Sequence, residues 1–388
     1  MKILQLDIEG FRSLKKVSWQ PGDLNIVIGP NGSGKSNLLR FMELLSVSAQ
    51  GRLGKYIQTL GGMDPLVWDG QATMILSSLK FQPFENEYLT YQLELARLGK
   101  TSSYRITKEL LTSVLSDQNK VIELLSRNGV RAQILGENQQ MLTAQEESIT
   151  DEESFLSMAV SPFASDLQTK LFLGSLMRWR IYHDVHVHQE ATIRRAAVAR
   201  SEKSIDPDGQ NLVPVLHTLY ESDRDFKREV NTAMRAAFGN DFEELIFPPA
   251  ADQRIQLRIR WKSLKREQSA ADLSDGTLRF LLLLTILANP NLRLPVAIDE
   301  PETGLHPSMF PIIAEYAVEA SKRAQIIFTT HSPQFLDAFT DIKPTTTVAK
   351  WENGETQLNT IAGSELDYWL KEYTLGALFN SRELEAMG

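Results

Sequence analysis

"DLNIVIGPNGSGKSNLLRFMELL", residues 23–45, decides the fold. Leu24 to Ile28 form a short apolar run ending on Gly29-Pro30, and "SNLLRFMELLSV" implies a helix that starts inside the intervening glycine loop. The loop itself, "GPNGSGKS" at 29–36, fits G-x-x-x-x-G-K-[ST] in full. Its glycines let backbone N–H groups close around phosphate oxygens at a helix N-terminus, where the helix dipole also favours an anion. Lys35 then reaches the β- and γ-phosphates of a nucleoside triphosphate, and Ser36 ligates its Mg²⁺. Asn31, Gly32, Ser33, Gly34, Lys35, Ser36 and Asn37 are the candidate nucleotide-binding residues. A chance glycine turn could give the same string, but the order strand, loop, helix favours the phosphate reading.

Around this loop the chain has 388 residues, 42% hydrophobic and 23% charged, enough to bury a core as one large domain or two lobes. It has no cysteine, which excludes disulfides, thiolate metal sites and a Cys nucleophile. The start "MKILQLDIEGFRSLKKV" is not a signal peptide, and the longest apolar run, in "LRFLLLLTILANP", is too short to span a bilayer. A cytoplasmic protein with no membrane partner is expected. The net charge of −8 offers no global field for nucleic acid, so any DNA or RNA site must be a local patch.

"ILQLDI" (3–8) alternates like a half-buried strand. Between about residues 70 and 160 short alternating runs predict an antiparallel β layer, with "RNG" at 127–129 as a hairpin turn and the acidic "TAQEESITDEESF" as an exposed loop. Helices are expected over 166–180, 211–237 and 308–322. "QRIQLRIRWKSLKR" (253–266) reads as one strand, with Ile255, Leu257, Ile259 and Trp261 on one face and Arg254, Arg258, Arg260 and Lys262 on the other. "LPVAIDE" and "AQIIFTTHSP" are further strands, joined by a helix, which predicts parallel strands with helical crossovers. No heptad or other internal repeat is present.

"VAIDE" (296–300) brings two adjacent carboxylates to a strand end. Strand alternation gives them different tasks: Asp299 for Mg²⁺, Glu300 to orient or deprotonate the attacking water. Two solvated acids before a turn are the plain alternative. "FTTHSP" (328–333) ends the next strand on His331, placed to touch a γ-phosphate or the water, or else simply a polar strand end. "LSDGT" (273–277) precedes the leucine-rich helix, so Ser274 and the Gly276 amide make a second anion-binding helix start. One nucleotide does not need two such cradles. The second makes sense if Ser274 serves the nucleotide of another copy of the chain; a simple N-cap is the bland reading.

The set "GFRSLKKV", "GPNGSGKS", "LSDGT", "IDEPETGLHP" and "TTHSP" resembles the ABC-type ATPases related to SMC, Rad50 and RecF proteins, and their short bacterial relatives of the AAA family. The resemblance covers the first forty residues and about 270–340, and more loosely a "YHD…R…PDGQNL" pattern at 182–212. It implies an α/β ABC-type P-loop ATPase head, with a mixed, largely parallel core sheet, an antiparallel β layer and a helical lobe. The expected division is one head over 1–388: nucleotide-binding core 1–70 and 250–350, antiparallel insertion 71–160, helical lobe 161–249. It further implies ATP and Mg²⁺ as cofactors, Ser274 and Gly276 as a signature motif acting in trans, "PETGLHP" as a dimer-joint loop, His331 as switch histidine, and Arg12 as a phosphate contact. Asp275 departs from the usual Ser-Gly-Gly of the signature. The γ-phosphate-sensing glutamine stays open among Gln50, Gln58 and Gln71. Neither the long heptad segments and Cys-x-x-Cys hook of Rad50 nor room for a Toprim nuclease domain after His331 is found.

The expected function is therefore an Mg²⁺-dependent ATPase, catalysed through Glu300, His331 and Lys35, whose ATP-bound heads dimerise and whose hydrolysis switches the assembly. The resemblance points to DNA surveillance, repair or antiphage defence with a separately encoded nuclease or toxin. A nucleotide-gated scaffold that holds such a partner with little turnover is the alternative, and a membrane-transport ATPase subunit a further rival. Two weaker signals are open: His183, His186 and His188 in "HDVHVH" as metal ligands or ordinary polar positions, and the basic "ATIRRAAVAR" and 254–262 stretches as a nucleic-acid contact, a solvated face or a contact to an acidic partner.

Overall fold

The computed structural model describes residues 1–83, 87–99, 102–115, 120–160, 163, 165–361, 370 and 373–384. It is a mixed α/β fold whose described residues divide into two compact units, one built from those of 1–181 with 345–361, the other from 182–344 with 370 and 373–384.

In the first unit an eight-stranded antiparallel sheet runs in the order Leu14–Trp19, Lys2–Phe11, Met74–Gln82, Glu87–Arg97, Tyr104–Leu115, Lys120–Asn128, Arg131–Leu135, Met141–Thr143. The alternation seen in the sequence sets its inner face, where Leu6, Ile8, Leu79, Phe81, Tyr91, Leu93 and Ile106 are buried. Phe172 of the helix Leu167–Leu176 meets Phe81 edge-on and Tyr91 at a tilt, with ring centroids 5.8 and 5.4 Å apart, and Phe41 of the phosphate-loop helix meets Phe11 at 5.1 Å. The expected turn at "RNG" sits one residue later, because Asn128 still pairs with Arg131 and the two-residue loop is Gly129-Val130. The apolar strand Leu24–Ile28, buried at all five positions, pairs in parallel with Thr345–Glu352. That strand folds back onto Glu355–Thr360 through Asn353-Gly354, both at positive φ, as a two-residue Asn-Gly hairpin requires.

In the second unit Val296–Asp299 and Ile326–Thr330 pair in parallel, connected through the helix Phe310–Ser321. The helix Asp275–Leu287 is buried nearly all round, from Thr277 to Leu287 except Arg279, so its leucine run is core. The single helix expected over 211–237 is two, Leu212–Ser222 and Arg224–Phe238. Asp223 breaks them: its backbone is extended, and its carboxylate caps the second helix through the amides of Asp225 and Phe226. The strand expected over 253–266 is also split. Arg254–Ile255 belongs to one three-stranded sheet and Arg258–Trp261 to another, because the Gln256 amide turns to Pro248 O between them. The apolar face survives, with Ile255, Leu257 and Ile259 buried. Two of the four residues of its basic face are matched by acids: Arg260 pairs with Glu244 and Glu267, and Arg258 with Glu267. Among the described residues no helix is long and apolar enough to cross a membrane.

Candidate nucleotide site

The candidate residues fall into two groups, one in each unit. In the first unit the loop 29–36 leaves a fully buried strand and enters the helix Lys35–Ala49 through Gly34, which adopts a left-handed conformation at φ 97°. No side chain caps this helix, so its first-turn amides suit an external acceptor. Glycine is required at 34 twice over: a Cβ there would fall on Thr356 Oγ1 and lie 2.7 Å from Ser13 Oγ.

Those two hydroxyls clasp the loop. Thr356 Oγ1 donates to Ser33 O at 2.9 Å and accepts from the Ser13 hydroxyl at 2.7 Å, its amide donates to Ser13 O, and Asn37 Nδ2 donates to Ser13 Oγ at 2.7 Å. Asn37 thus supports the loop from behind. Ser13 and Thr356 escaped sequence reasoning; the signal was available in "FRS" and in the Asn-Gly hairpin, but their meeting spans 343 residues. Lys35, 5% exposed, folds back to donate from Nζ to Gly29 O at 2.7 Å and Pro30 O at 3.0 Å. Ser33 Oγ is buried without a hydrogen-bond partner. An uncapped helix start, a buried cation and an orphaned hydroxyl at one glycine loop fit a bound polyphosphate.

Arg12 stands at φ 47° with its amide held by Leu66 O at 2.7 Å. Its Nε is buried without a partner, and burial, reinforced by neighbouring Arg40, lowers the guanidinium's pKa from its ordinary value. A cation so placed would be eased by an anion. Of the three glutamines, Gln50 ends the phosphate-loop helix, about 22 Å along it from the loop at ~1.5 Å per residue, and its Nε2 donates to Met177 O. It cannot sense a phosphate held at the loop. Gln71 follows the turn Trp68–Gly70, which Trp68 Nε1 ties to Gly354 O at 3.2 Å, in the hairpin that carries Thr356.

In the second unit the parallel pairing places Asp299 beside Thr329, whose hydroxyl donates to the Asp299 carboxylate. His183 Nδ1 lies 3.3 Å from the other carboxylate oxygen. The "HDVHVH" segment follows the strand Arg180–Tyr182 without regular structure: His183 turns to Asp299, while the His186 and His188 rings lie 5.8 Å apart. Glu300 leaves the strand at φ 46°, a costly conformation for a non-glycine residue, with its amide held by Thr329 O. Its carboxylate meets His331 Nδ1 at 2.9 Å. So the two carboxylates do face different partners, through a left-handed residue after the strand rather than through strand alternation alone.

Glu302, which sequence reasoning passed over inside "PETGLHP", is 8% exposed. It accepts from the Thr330 hydroxyl through Oε1, while Oε2 is buried without a partner. Burial, more than any neighbouring charge, raises its pKa. Arg279 lies within electrostatic range of Glu302, Glu300, Asp184 and Asp275; burial lowers its pKa and those carboxylates pull it back. Ser274 is the N-cap of the leucine-rich helix, its Oγ accepting from Thr277 N at 3.1 Å. The following turn passes so close that a Cβ on Gly276 would lie 2.6 Å from Gly304 O. Within this unit Ser274 and Gly276, the turn after Glu300 and His331 thus form one connected set.

Magnesium suits an oxygen donor such as the Asp299 carboxylate, held by Thr329 and His183. It keeps most of its waters and takes one or two protein oxygens besides phosphate, so the absence of any group of three ligating side chains among the described residues is no obstacle.

Comparison with known proteins gives the family and the fold. The family described as "AAA domain, putative AbiEii toxin, Type IV TA system" matches residues 109–337, and that described as "AAA ATPase domain" matches 1–170. No curated protein matches the chain. Among solved structures, an Smc head bound to the C-winged helix domain of ScpA superposes with a TM-score of 0.54 at 15% identity, covering 95% of this chain and 100% of that one. An Smc head with an extended coiled coil bound to the C-terminal domain of ScpA, from Pyrococcus furiosus, gives 0.54 at 14% identity, covering 95% and 98%. At these identities the likeness is one of fold. The first family spans more than half of the chain, so the protein belongs to that AAA-domain family and folds as an ABC-type ATPase head of the SMC kind.

Proposed function

We propose that the protein is an Mg²⁺-dependent ATPase whose heads dimerise around ATP and part on hydrolysis. The observation that carries this reading is the Glu300–His331 pair at 2.9 Å, held by a strained Glu300 backbone at the end of a buried parallel strand. Strain of about 1–3 kcal/mol persists where function needs it. In this reading the amides of 32–36 and Lys35 bind the phosphates, Arg12 adds a second cation, and Ser36 and Asp299 are the protein ligands of the metal. Mg²⁺, when bound, neutralises phosphate charge and orients the γ-phosphoryl group. His183 and the Thr329 hydroxyl hold the Asp299 carboxylate in orientation. Glu300 takes a proton from water as the water oxygen bonds to phosphorus and the bond to the ADP oxygen breaks, and His331 holds Glu300 in place. Gln71 is the γ-phosphate sensor that the hairpin clasp favours.

Ser274 and the Gly276 amide complete the nucleotide of a second copy, which makes ATP a ligand of the closed dimer alone. A separately encoded toxin or nuclease reads that switch, in antiphage defence or DNA surveillance. The family description, with its toxin–antitoxin context, supports the defence branch. DNA or RNA contact through 254–262 is less favoured, since Arg258 and Arg260 already face Glu244 and Glu267.

The test is Glu300→Gln. Single-turnover hydrolysis should fall about 100- to 10,000-fold while ATP affinity is kept, and light scattering should show an ATP-dependent dimer that Ser274→Arg abolishes. Hydrolysis by this variant at the wild-type rate would end the role of Glu300 as the base, and absence of hydrolysis by the wild type would end the ATPase assignment. Trapped ATP without any change in mass would favour the scaffold alternative.

A further inference from the structure

Asp275 puts a carboxylate in the first turn of the Ser274 helix, next to amides that the proposed function needs for an anion. The structure answers that charge from elsewhere in the chain. Arg194 is 7% exposed, and every arm of its guanidinium is used. Nε donates to Val187 O at 2.7 Å and His188 O at 3.2 Å; Nη1 donates to Leu273 O at 2.6 Å and, more distantly, to Ala270 O and Ala271 O; Nη2 pairs with the Asp275 carboxylate. One buried side chain therefore fixes the carbonyls that lead into Ser274 and balances the acid that follows it.

Arg194 is itself held. It lies in the short turn Thr192–Arg194, where Gln210 Oε1 accepts from Ile193 N at 3.1 Å and Gln210 Nε2 donates to His186 O at 2.9 Å. Gly209, at φ 71°, leaves no room for a Cβ, which would lie 2.8 Å from Val185 Cγ1. The "PDGQNL" stretch thus pins the segment 183–194, whose other end places His183 against Asp299. The segment is a strap between the proposed metal carboxylate and the Ser274 helix start.

We propose that Arg194 is a positioning residue of the Ser274 helix start, which orders residues 270–275 and cancels the charge of Asp275 so that this end of the helix can accept an anion. The proposal rests on the reading of Ser274 given above. Arginine is needed because lysine carries its three donors on a single nitrogen and cannot reach acceptors spread around a planar fork.

Four variants test it in the Glu300→Gln background, where ATP-driven mass is the first readout and hydrogen exchange of the peptide 270–278 without nucleotide is the second. Arg194→Ala and Arg194→Lys should raise the ATP concentration for half-maximal dimerisation at least tenfold and speed exchange at 270–278. Asp275→Asn alone, at an exposed carboxylate, should lower that concentration severalfold. Arg194→Ala with Asp275→Asn should recover a large part of the loss in dimerisation but not the exchange protection. Unchanged exchange in a folded Arg194→Ala protein overturns the proposal, as does weaker dimerisation in Asp275→Asn, a variant that stays informative even where Arg194→Ala fails to fold. Should the Glu300→Gln parent itself never dimerise with ATP, the dimer reading fails on its own, and the exchange data still decide whether Arg194 orders the helix start.

Discussion

The phosphate loop and the Ser274 helix start are both ends of helices offered to an anion, and they are built in opposite ways. At Gly34 the helix has no side-chain cap, and the loop is shaped by glycines that let neighbouring backbone and hydroxyls approach. At Ser274 the helix is capped by its own serine, and the approach is shaped by a buried arginine some eighty residues upstream. A helix end made by backbone alone needs its determinants in contiguous sequence. One made by side chains can draw them from anywhere the fold brings near.

The strongest way to break the first arrangement is Gly34→Ala. The methyl group would sit in a left-handed conformation and on Thr356 Oγ1, so strain and overpacking together should cost about 2–5 kcal/mol. Thermal unfolding should show the loss, and nucleotide binding should vanish with it. No single substitution at Asp275, exposed on its helix, should approach that effect on stability. A Gly34→Ala protein with wild-type Tm and ATP affinity would mean that the loop is not held against the Asn-Gly hairpin as described.

Thr356→Val probes the same clasp more gently. The swap keeps shape and removes the hydroxyl that donates to Ser33 O and accepts from Ser13 Oγ, in a residue that is fully buried. Leaving those partners unmet should cost about 1–3 kcal/mol and weaken ATP binding severalfold, measured by calorimetry. Hydrolysis of bound ATP should be little changed, since Glu300 and His331 belong to the other unit. A fall in the chemical step with unchanged binding would contradict this division of labour.

How much of this was legible beforehand follows the same contrast. The strand, loop and helix of 24–49, the carboxylate pair at 299–300 and His331 could be read because each is a local string whose order carries meaning. The apolar alternation at 255–259 was also right, yet the strand it suggested is split, because alternation is blind to where a ladder changes partners. Asp223 looked like one polar residue inside a helix, whereas its short acceptor side chain makes it a cap and hence a break. Ser13 stands in "FRS", Thr356 after the Asn353-Gly354 turn and Arg194 in "ATIRRAAVAR", strings that could be read, but nothing local marks what these side chains hold. Each acts through hydrogen bonds across 75 residues or more, to partners that only the fold selects. Glu302 was passed over for another reason: a carboxylate beside a turn reads as solvated, and only burial shows that it is not.

That burial supplies the smallest and sharpest prediction. Glu302 gives one oxygen to the Thr330 hydroxyl and leaves the other buried without a partner, and burial raises its pKa above the ordinary carboxylate value. An acid whose folded pKa is raised binds its proton more tightly in the folded state. Its contribution to stability is therefore complete at pH below the unfolded pKa and is lost as pH rises through the folded one. Glu302→Gln keeps an oxygen to accept from Thr330 and cannot ionise. Its Tm should match that of the wild type under acidic conditions and exceed it by an increasing margin as the pH is brought to neutral and beyond. If the margin instead shrinks with rising pH, the ionised carboxylate is the stable form, and Arg279, the cation within its electrostatic range, outweighs the cost of burial.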